Sequence, residues 1–443
     1  MVWLTALLTT LLVAGPALGD VAFLPLAAGG ARQLPEVAAL RATFDNGVRA
    51  LCIENQGTGT VAVSAFVNTS ARAESPSSAG IRYFVARALV ECSAADQPNL
   101  AERIQELGAD VFSGATLDLS QITVGAAAED VRPAAELLRD IVASPQFGEA
   151  SLGRLRHQVV TGLAAAGQLP DVAAERAAAA RLYPNHPFGW PVEGLAATVS
   201  SFTVAQVQSV YAQSYVANNL RIVVAGGVPP AESLEAVRAA FSGLLPGSRL
   251  PETTEAPRQP LEGVEELRRP GGTAVVHIGV RAPGLAEPAY PAATVALAVL
   301  GAGMGSRLYG ALRLKDGVAY SFSAEARAAR EGARAGVLAA CPPERLDDTE
   351  GRILLAMRRM GTELASPEEI LRAKEHIATS YAITHQRSAE LAHQIGVLEI
   401  AGDRGLELDR DLARLVREVT AEQVCGAARA MFGERVRVRV LPP

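Results

Sequence analysis

The chain has 443 residues, 49% of them hydrophobic and 20% charged, a globular composition with length enough for two or more cores. Its formal charge of -6 and the lack of any basic cluster give no electrostatic basis for nucleic-acid binding. The four cysteines, Cys52, Cys92, Cys341 and Cys425, are widely spaced with no C-x-x-C pair, which excludes a cysteine zinc site and leaves disulfides and buried thiols both open.

Residues 4–13 form an apolar run of signal-peptide length, too short to span a bilayer. Ala17-Leu18-Gly19 follows with small residues at the spacing a signal peptidase needs. Residues 1–19 are therefore expected to be removed on export to the periplasm or medium, leaving Asp20 first. No Lys or Arg precedes the run, so its positive end is the amino terminus alone.

Further on, residues 48–53 and 61–67 alternate as half-buried strands, with turn chemistry at Asp45-Asn46-Gly47. Helical spacing follows over 79–91 and 100–107, then a strand over 116–126, helices over 131–142 and 152–166, and a buried strand over 219–226. The stretch 250–260 has Pro, Thr and Glu without apolar period and reads as a linker. The second half repeats the plan: strands over 273–280, 320–326 and 333–340, helices over 291–300, 346–364, 367–400 and 421–431, and a last strand over 436–441. The expectation is an α+β fold of two duplicated lobes, 36–247 and 263–443, joined across 248–262. Each lobe is a mostly antiparallel sheet with helices packed on one face.

Residues 68–89 run NTSARAESPSSAGIRYFVARAL. They resemble the segment of the pitrilysin/insulinase-type zinc peptidases in which a strand ends in small residues, Arg and Glu, and a helix opens on H-x-x-E-H. In that motif two histidines at i and i+4 grip one Zn²⁺ and the glutamate takes a proton from metal-bound water. Here Gly80, Ile81, Phe84 and Val85 fit the frame, but the chemical positions hold Tyr83, Ala86 and Arg87. Alanine is no base, and a guanidinium repels Zn²⁺. The family's third ligand, a later glutamate, aligns near Gly162, and residues 151–170 contain no Asp or Glu. The resemblance thus implies no zinc in this chain. His186-Pro187-Phe188-Gly189-Trp190-Pro191 is similar to a structural loop of the family, and residues 108–113 to its substrate-pairing edge strand, with Phe112-Ser113 in place of the usual Asn-Ala.

In the second half, Gly301-Ala302-Gly303-Met304-Gly305-Ser306-Arg307-Leu308-Tyr309 and Gly317-Val318-Ala319-Tyr320 resemble the family's glycine-rich loop and G-[LV]-A-Y element. That likeness implies substrate binding by Gly303, Gly305, Ser306, Arg307 and Tyr320. A guanidinium fork and a phenol can donate to a peptide carbonyl as it becomes an oxyanion, and glycines let backbone come close. Arg313 is a nearby cation outside the pair. His376, His385 and His393 with Glu390 fall on the helical stretch 367–400; the Glu390-x-x-His393 spacing is no more than a solvated face. The implied function is a non-catalytic subunit that binds peptide substrate for a zinc-bearing partner with an intact H-x-x-E-H, the two closing a clamshell chamber. The alternative is a structural or peptide-holding protein like the core subunits of respiratory complexes.

Overall fold

The computed structural model describes residues 38–69, 74–248, 263–314, 316–402 and 404–443. The expected signal segment and residues 249–262 of the expected linker lie outside them. Strands β1 (Ala39–Thr43), β2 (Arg49–Glu54), β3 (Thr60–Asn68), β4 (Asp110–Ala115), β5 (Leu119–Ala127) and β6 (Leu220–Gly226) form a sheet ordered β1-β2-β6-β3-β5-β4. Strands β7 (Val264–Arg268), β8 (Ala274–Ala282), β9 (Ser321–Ala328), β10 (Ala333–Cys341) and β11 (Val436–Leu441) form a second, ordered β7-β11-β8-β10-β9. The pairings correspond step by step. Parallel β2–β6 is answered by parallel β7–β11, and the antiparallel series β6-β3-β5-β4 by β11-β8-β10-β9. The expected duplication is therefore one of topology, with β1 as the added strand.

The first half carries helices α1 (Ile81–Asp96), α2 (Pro98–Glu106), α3 (Val131–Ala143), α4 (Glu149–Ala166), α5 (Pro170–Leu182), α6 (Ala196–Ser201), α7 (Val204–Ser214) and α8 (Pro230–Phe241). The second carries α9 (Tyr290–Gly301), the single turn α10 (Arg307–Tyr309), α11 (Leu346–Thr362), α12 (Pro367–Thr384), α13 (Ser388–Gly402), α14 (Gly405–Glu418) and α15 (Ala421–Phe432). Phe84, Leu89, Leu138 and Ile141 of α1 and α3 pack on Val63, Val67, Ile122 and Val124 of the first sheet. Leu300, Met357, Met360 and Phe432 of α9, α11 and α15 do the same on Val276, Ile278 and Val337 of the second.

Each sheet is also covered on its other face, by a helix from the opposite half. Ala174, Ala178 and Leu182 of α5 pack on Val275, Val436, Val438 and Val440. Leu391, Ala392 and Ile395 of α13 pack on Leu51, Phe66, Val223 and Ala225. This exchange explains why β6, LRIVVAG, is a continuous apolar run: it is buried on both faces. It also joins both sheets into one compact unit, Val37–Pro443.

The single helix expected over 367–400 is two helices. The chain breaks after α12, where Asn55 Nδ2 donates to the carbonyls of His385 and Gln386 at 3.2 and 3.3 Å. Those bonds satisfy helix-end carbonyls from the opposite sheet, so the stop is tertiary and has no local Gly or Pro signal. Strands β1 and β7 and helices α5, α6, α8 and α14 had no expected counterpart. All four cysteines are buried free thiols. Burial pushes the Cys52 thiol up to about 12 and Cys92 to about 11, far from the reactive thiolate form.

The degenerate metal helix and the candidate substrate-binding site

Helix α1 starts where two glycines touch. Gly80 (φ 88°) and Gly194 (φ 90°) approach so closely that a Cβ on Gly80 would lie 2.4 Å from the Gly194 Cα. The Glu74 carboxylate accepts from the Gly80 and Arg82 amides at 2.8 and 3.1 Å, satisfying free donors of the first turn. That fixed entry sets the face α1 presents.

Tyr83 and Arg87 fall one turn apart, with Ala86 directly before Arg87. Ala86 is fully buried. Arg87 donates from Nε to Glu91 Oε1 at 2.6 Å and from Nη1 to the Tyr83 hydroxyl at 3.5 Å, its guanidinium 5.9 Å from the centre of the Tyr83 ring. Across from it on α4, the Gln158 amide, with its nitrogen and oxygen exchanged, donates to Glu91 and accepts from Arg87, at 3.2 Å each. An ion pair bridged by an amide thus occupies the face where the zinc motif would set its ligands. Gly162, the position aligned with the third ligand, faces open space; the α4 residue that meets Arg87 and Glu91 is Gln158. Sequence reasoning missed both Gln158 and Glu91, although the i,i+4 spacing of Arg87 and Glu91 was a visible signal. Among the described residues no group of three His, Cys, Asp or Glu side chains could hold a metal ion.

Three of the other histidines are occupied. His186 is buried and its Nδ1 accepts from the Phe188 amide at 3.1 Å, the structural role expected. His393 Nδ1 lies 2.6 Å from Gln121 Oε1 while Glu390 pairs with Arg387, so the Glu390/His393 spacing brings no joint site. His385 caps α12, with Nδ1 2.8 Å from the Tyr381 carbonyl and Nε2 3.1 Å from buried Asp409.

In the second half, Ser306 builds the glycine loop. Its hydroxyl donates to the Gly303 carbonyl at 2.8 Å and accepts from the Tyr309 amide at 3.3 Å, closing the turn into α10. Gly303 has φ 70°, and a Cβ on Gly305 would stand 2.9 Å from Arg372 Nε. Loop and helix α12 enclose a hollow of about 240 Å³ lined by Gly303, Gly305, Ser306, Glu369, Arg372 and His376.

Arg307 does not extend into open space. Its Nε and Nη2 donate to the two oxygens of Glu369 at 2.8 and 3.0 Å, a fork that leaves Nη1 buried without a partner. Glu369 holds the Arg307 pKa above its ordinary value, and Arg307 in turn holds the Glu369 carboxyl below the usual range. The same Glu369 accepts from the Ser366 amide at 2.8 Å, so one carboxylate caps α12 and ties it to the glycine loop.

Tyr320 is presented to solvent, 61% exposed, immediately before β9. Its backbone is held: the amide donates to the Ala340 carbonyl at 2.7 Å, and Arg313 Nη1 donates to the carbonyls of Ala319 and Tyr320, both at 3.1 Å. Arg313 therefore belongs to the support of Tyr320 and is not a bystander.

This arrangement of paired sheets, helix α1 and glycine loop matches known proteins. Residues 49–194 match the model of the insulinase family, peptidase family M16, and residues 201–377 match the peptidase M16 inactive domain. The chain belongs to the M16 peptidase family. It is similar to an uncharacterized zinc protease of Mycobacterium tuberculosis, 24% identical over 407 residues covering 91% of this chain and 93% of that protein. It is also similar to the uncharacterized zinc protease YmxG of Bacillus subtilis, 24% identical over 414 residues, 91% of this chain and 98% of that protein. Among solved structures, the peptidase M16 inactive domain from Pseudomonas fluorescens aligns with a TM-score of 0.83 at 20% identity, over 92% of this chain and 98% of that one. A chain of complex III2 from Candida albicans aligns with a TM-score of 0.79 at 18% identity, over 91% and 96%. At those identities the two structures share the fold.

Proposed function

We propose that this chain is a non-catalytic M16 subunit that binds peptide for a zinc-bearing partner with an intact H-x-x-E-H. The observation that carries the reading is the contrast between two sites of one chain. On α1 the Arg87–Glu91 pair stands in place of metal chemistry, while Tyr320 is exposed on a backbone held by Arg313 and Ala340. In the partner's chamber the Tyr320 hydroxyl donates to the scissile carbonyl, where negative charge builds in the transition state. Arg307 acts through Glu369 to hold the glycine loop.

The test is co-purification of the chain with an M16 protein carrying H-x-x-E-H, then steady-state peptidolysis by the pair. Tyr320→Phe is expected to lower turnover on the order of a hundredfold, since one such donor is worth about 3 kcal/mol. Complex size and the partner's zinc should be unchanged. A wild-type rate from the Tyr320→Phe pair would sink the reading. It would favour a structural role, which the occupied guanidinium of Arg307 and the fold shared with a complex III2 chain support.

A further inference from the structure

Away from these sites, three ionisable side chains converge where α12 gives way to α13. Tyr381 and His385, one turn apart at the C-terminal end of α12, stack their rings with centroids 3.7 Å apart. Asp409 of α14 is 2% exposed. Its Oδ2 accepts from the Tyr381 hydroxyl and lies 3.1 Å from His385 Nε2, while its Oδ1 is buried with no hydrogen-bond partner. The same junction seats α13 on the first sheet. The His385 and Gln386 carbonyls accept from Asn55, and Leu391, just beyond, packs with Leu51 and Phe66.

Valence fixes how many protons this cluster holds. The Tyr381 carbonyl can only accept, so His385 Nδ1, 2.8 Å away, carries a hydrogen. Nε2 then faces Oδ2 as one acceptor against another unless a further proton lies between them. Burial favours the uncharged arrangement: it pushes the Asp409 carboxyl up to about 7 and brings the His385 imidazole down to about 4. The proton therefore sits on Asp409, and His385 is neutral. Arg410, next in the chain, acts on Asp409 in the opposite sense, with a smaller effect than burial. Other charges of the surrounding helices are directed elsewhere. Lys374 of α12 donates to the Arg417 carbonyl. On α13, Glu390 pairs with Arg387, His393 with Gln121 and Glu399 with Arg41, which also takes Glu407 of α14. Helix α9, packed against α14, has Tyr290 as its one ionisable side chain. Once the proton leaves, a buried carboxylate has one oxygen unpartnered and the other against a lone pair. Opening the junction to water relieves that cost.

We propose that Tyr381, His385 and Asp409 form a proton-operated latch, which holds the α12–α13 junction closed on α14 while one proton lies between His385 and Asp409 and releases it when that proton is lost. The latch stands apart from the peptide-binding reading. In the open junction Asp409 returns toward its ordinary 3.8, so the stability it gives the closed form is complete below that pH and is lost as pH rises through about 7. Hydrogen exchange of the intact chain, read by mass spectrometry and corrected for the intrinsic rate, measures this. Protection over residues 385–391 should fall about tenfold per pH unit between about pH 5 and 7 and level off above, as loss of one proton on opening requires. Asp409→Asn keeps a donor toward Nε2 and has no charge to gain, so its protection should stay level across that range. Equal slopes in the two proteins overturn the proposal, as does wild-type protection that does not change with pH. ¹⁵N-histidine spectra of the wild type are a readout free of any variant. His385 should stay neutral, with its hydrogen on Nδ1, at about pH 6; a His385 signal that titrates at the ordinary value of about 6.5 overturns the latch.

Discussion

Arg87 illustrates how one side chain changes the chemistry of a helix without changing its fold. Its cation satisfies Glu91 and Gln158 where a metal would have satisfied histidines. The substitutions at Tyr83, Ala86 and Arg87 were legible from the likeness of residues 68–89 to the family's zinc segment, and i and i+4 positions share a helix face whatever packs against it. The facing residue was not legible, because the register of α4 on α1 is set by packing across the core. The structure makes this testable. Tyr83→His and Arg87→His combined with Gln158→Glu should bind stoichiometric zinc after dialysis, whereas the same pair with Gly162→Glu should not. Zinc retained equally by both sets, measured by elemental analysis, would mean that α4 turns a different face to α1. Glu369 carries a second residue-scale prediction. Its folded pKa lies below its ordinary value of 4.5, so its contribution to stability is present above that pH and is lost as pH falls through the folded value. Glu369→Gln should therefore flatten part of the loss of stability below about pH 4.5 in urea titrations. An acid limb identical to wild type would show that the Arg307 fork does not persist in solution.

At the scale of elements, the strands were the most legible part, since alternation over 48–53, 61–67 and 436–441 survives whatever covers the sheet. The exchanged helices were the least. Helix α5 is so rich in alanine that its apolar face has little contrast, and that same smallness lets it lie close on β8 and β11. Helix α13 ran unbroken into α12 on the page, because the stop at His385 is supplied by Asn55 from far away in sequence. Its docking depends on Gly396, where a Cβ would lie 2.2 Å from the Phe66 ring of β3. Phe66 is fully buried and cannot move aside without disturbing β5 and β6. Gly396→Ala should therefore cost about 1–3 kcal/mol through overpacking, even though alanine is the better helix former by about 1 kcal/mol. Equilibrium unfolding in urea measures the net sign; a stabilised variant would show that α13 sits further from the sheet.

The whole molecule is organised by that exchange. Two sheets built on one topology suggest two domains, and the repeated order of strands and helices in the sequence supports the same division. Yet Leu51, Phe66, Val223 and Ala225 of the first sheet are buried by α13, and Val275, Val436, Val438 and Val440 of the second by α5. Neither half can bury its own sheet on both faces. A first-half fragment keeps α5 without its sheet and exposes the surface meant for α13; a second-half fragment has the converse defect. Exposed apolar surface of that kind leads to aggregation. Residues 38–248 and 263–443 expressed separately should therefore be insoluble or molten, and expressed together should assemble into a soluble pair. The intact chain should unfold in a single transition. Trp190 in the first half, followed by fluorescence, should report the same midpoint as hydrogen exchange in β8 and β10 of the second. Two separated midpoints, or a first-half fragment that folds alone with a cooperative transition, would show that the halves are independent domains and that the crossing helices add little to either core.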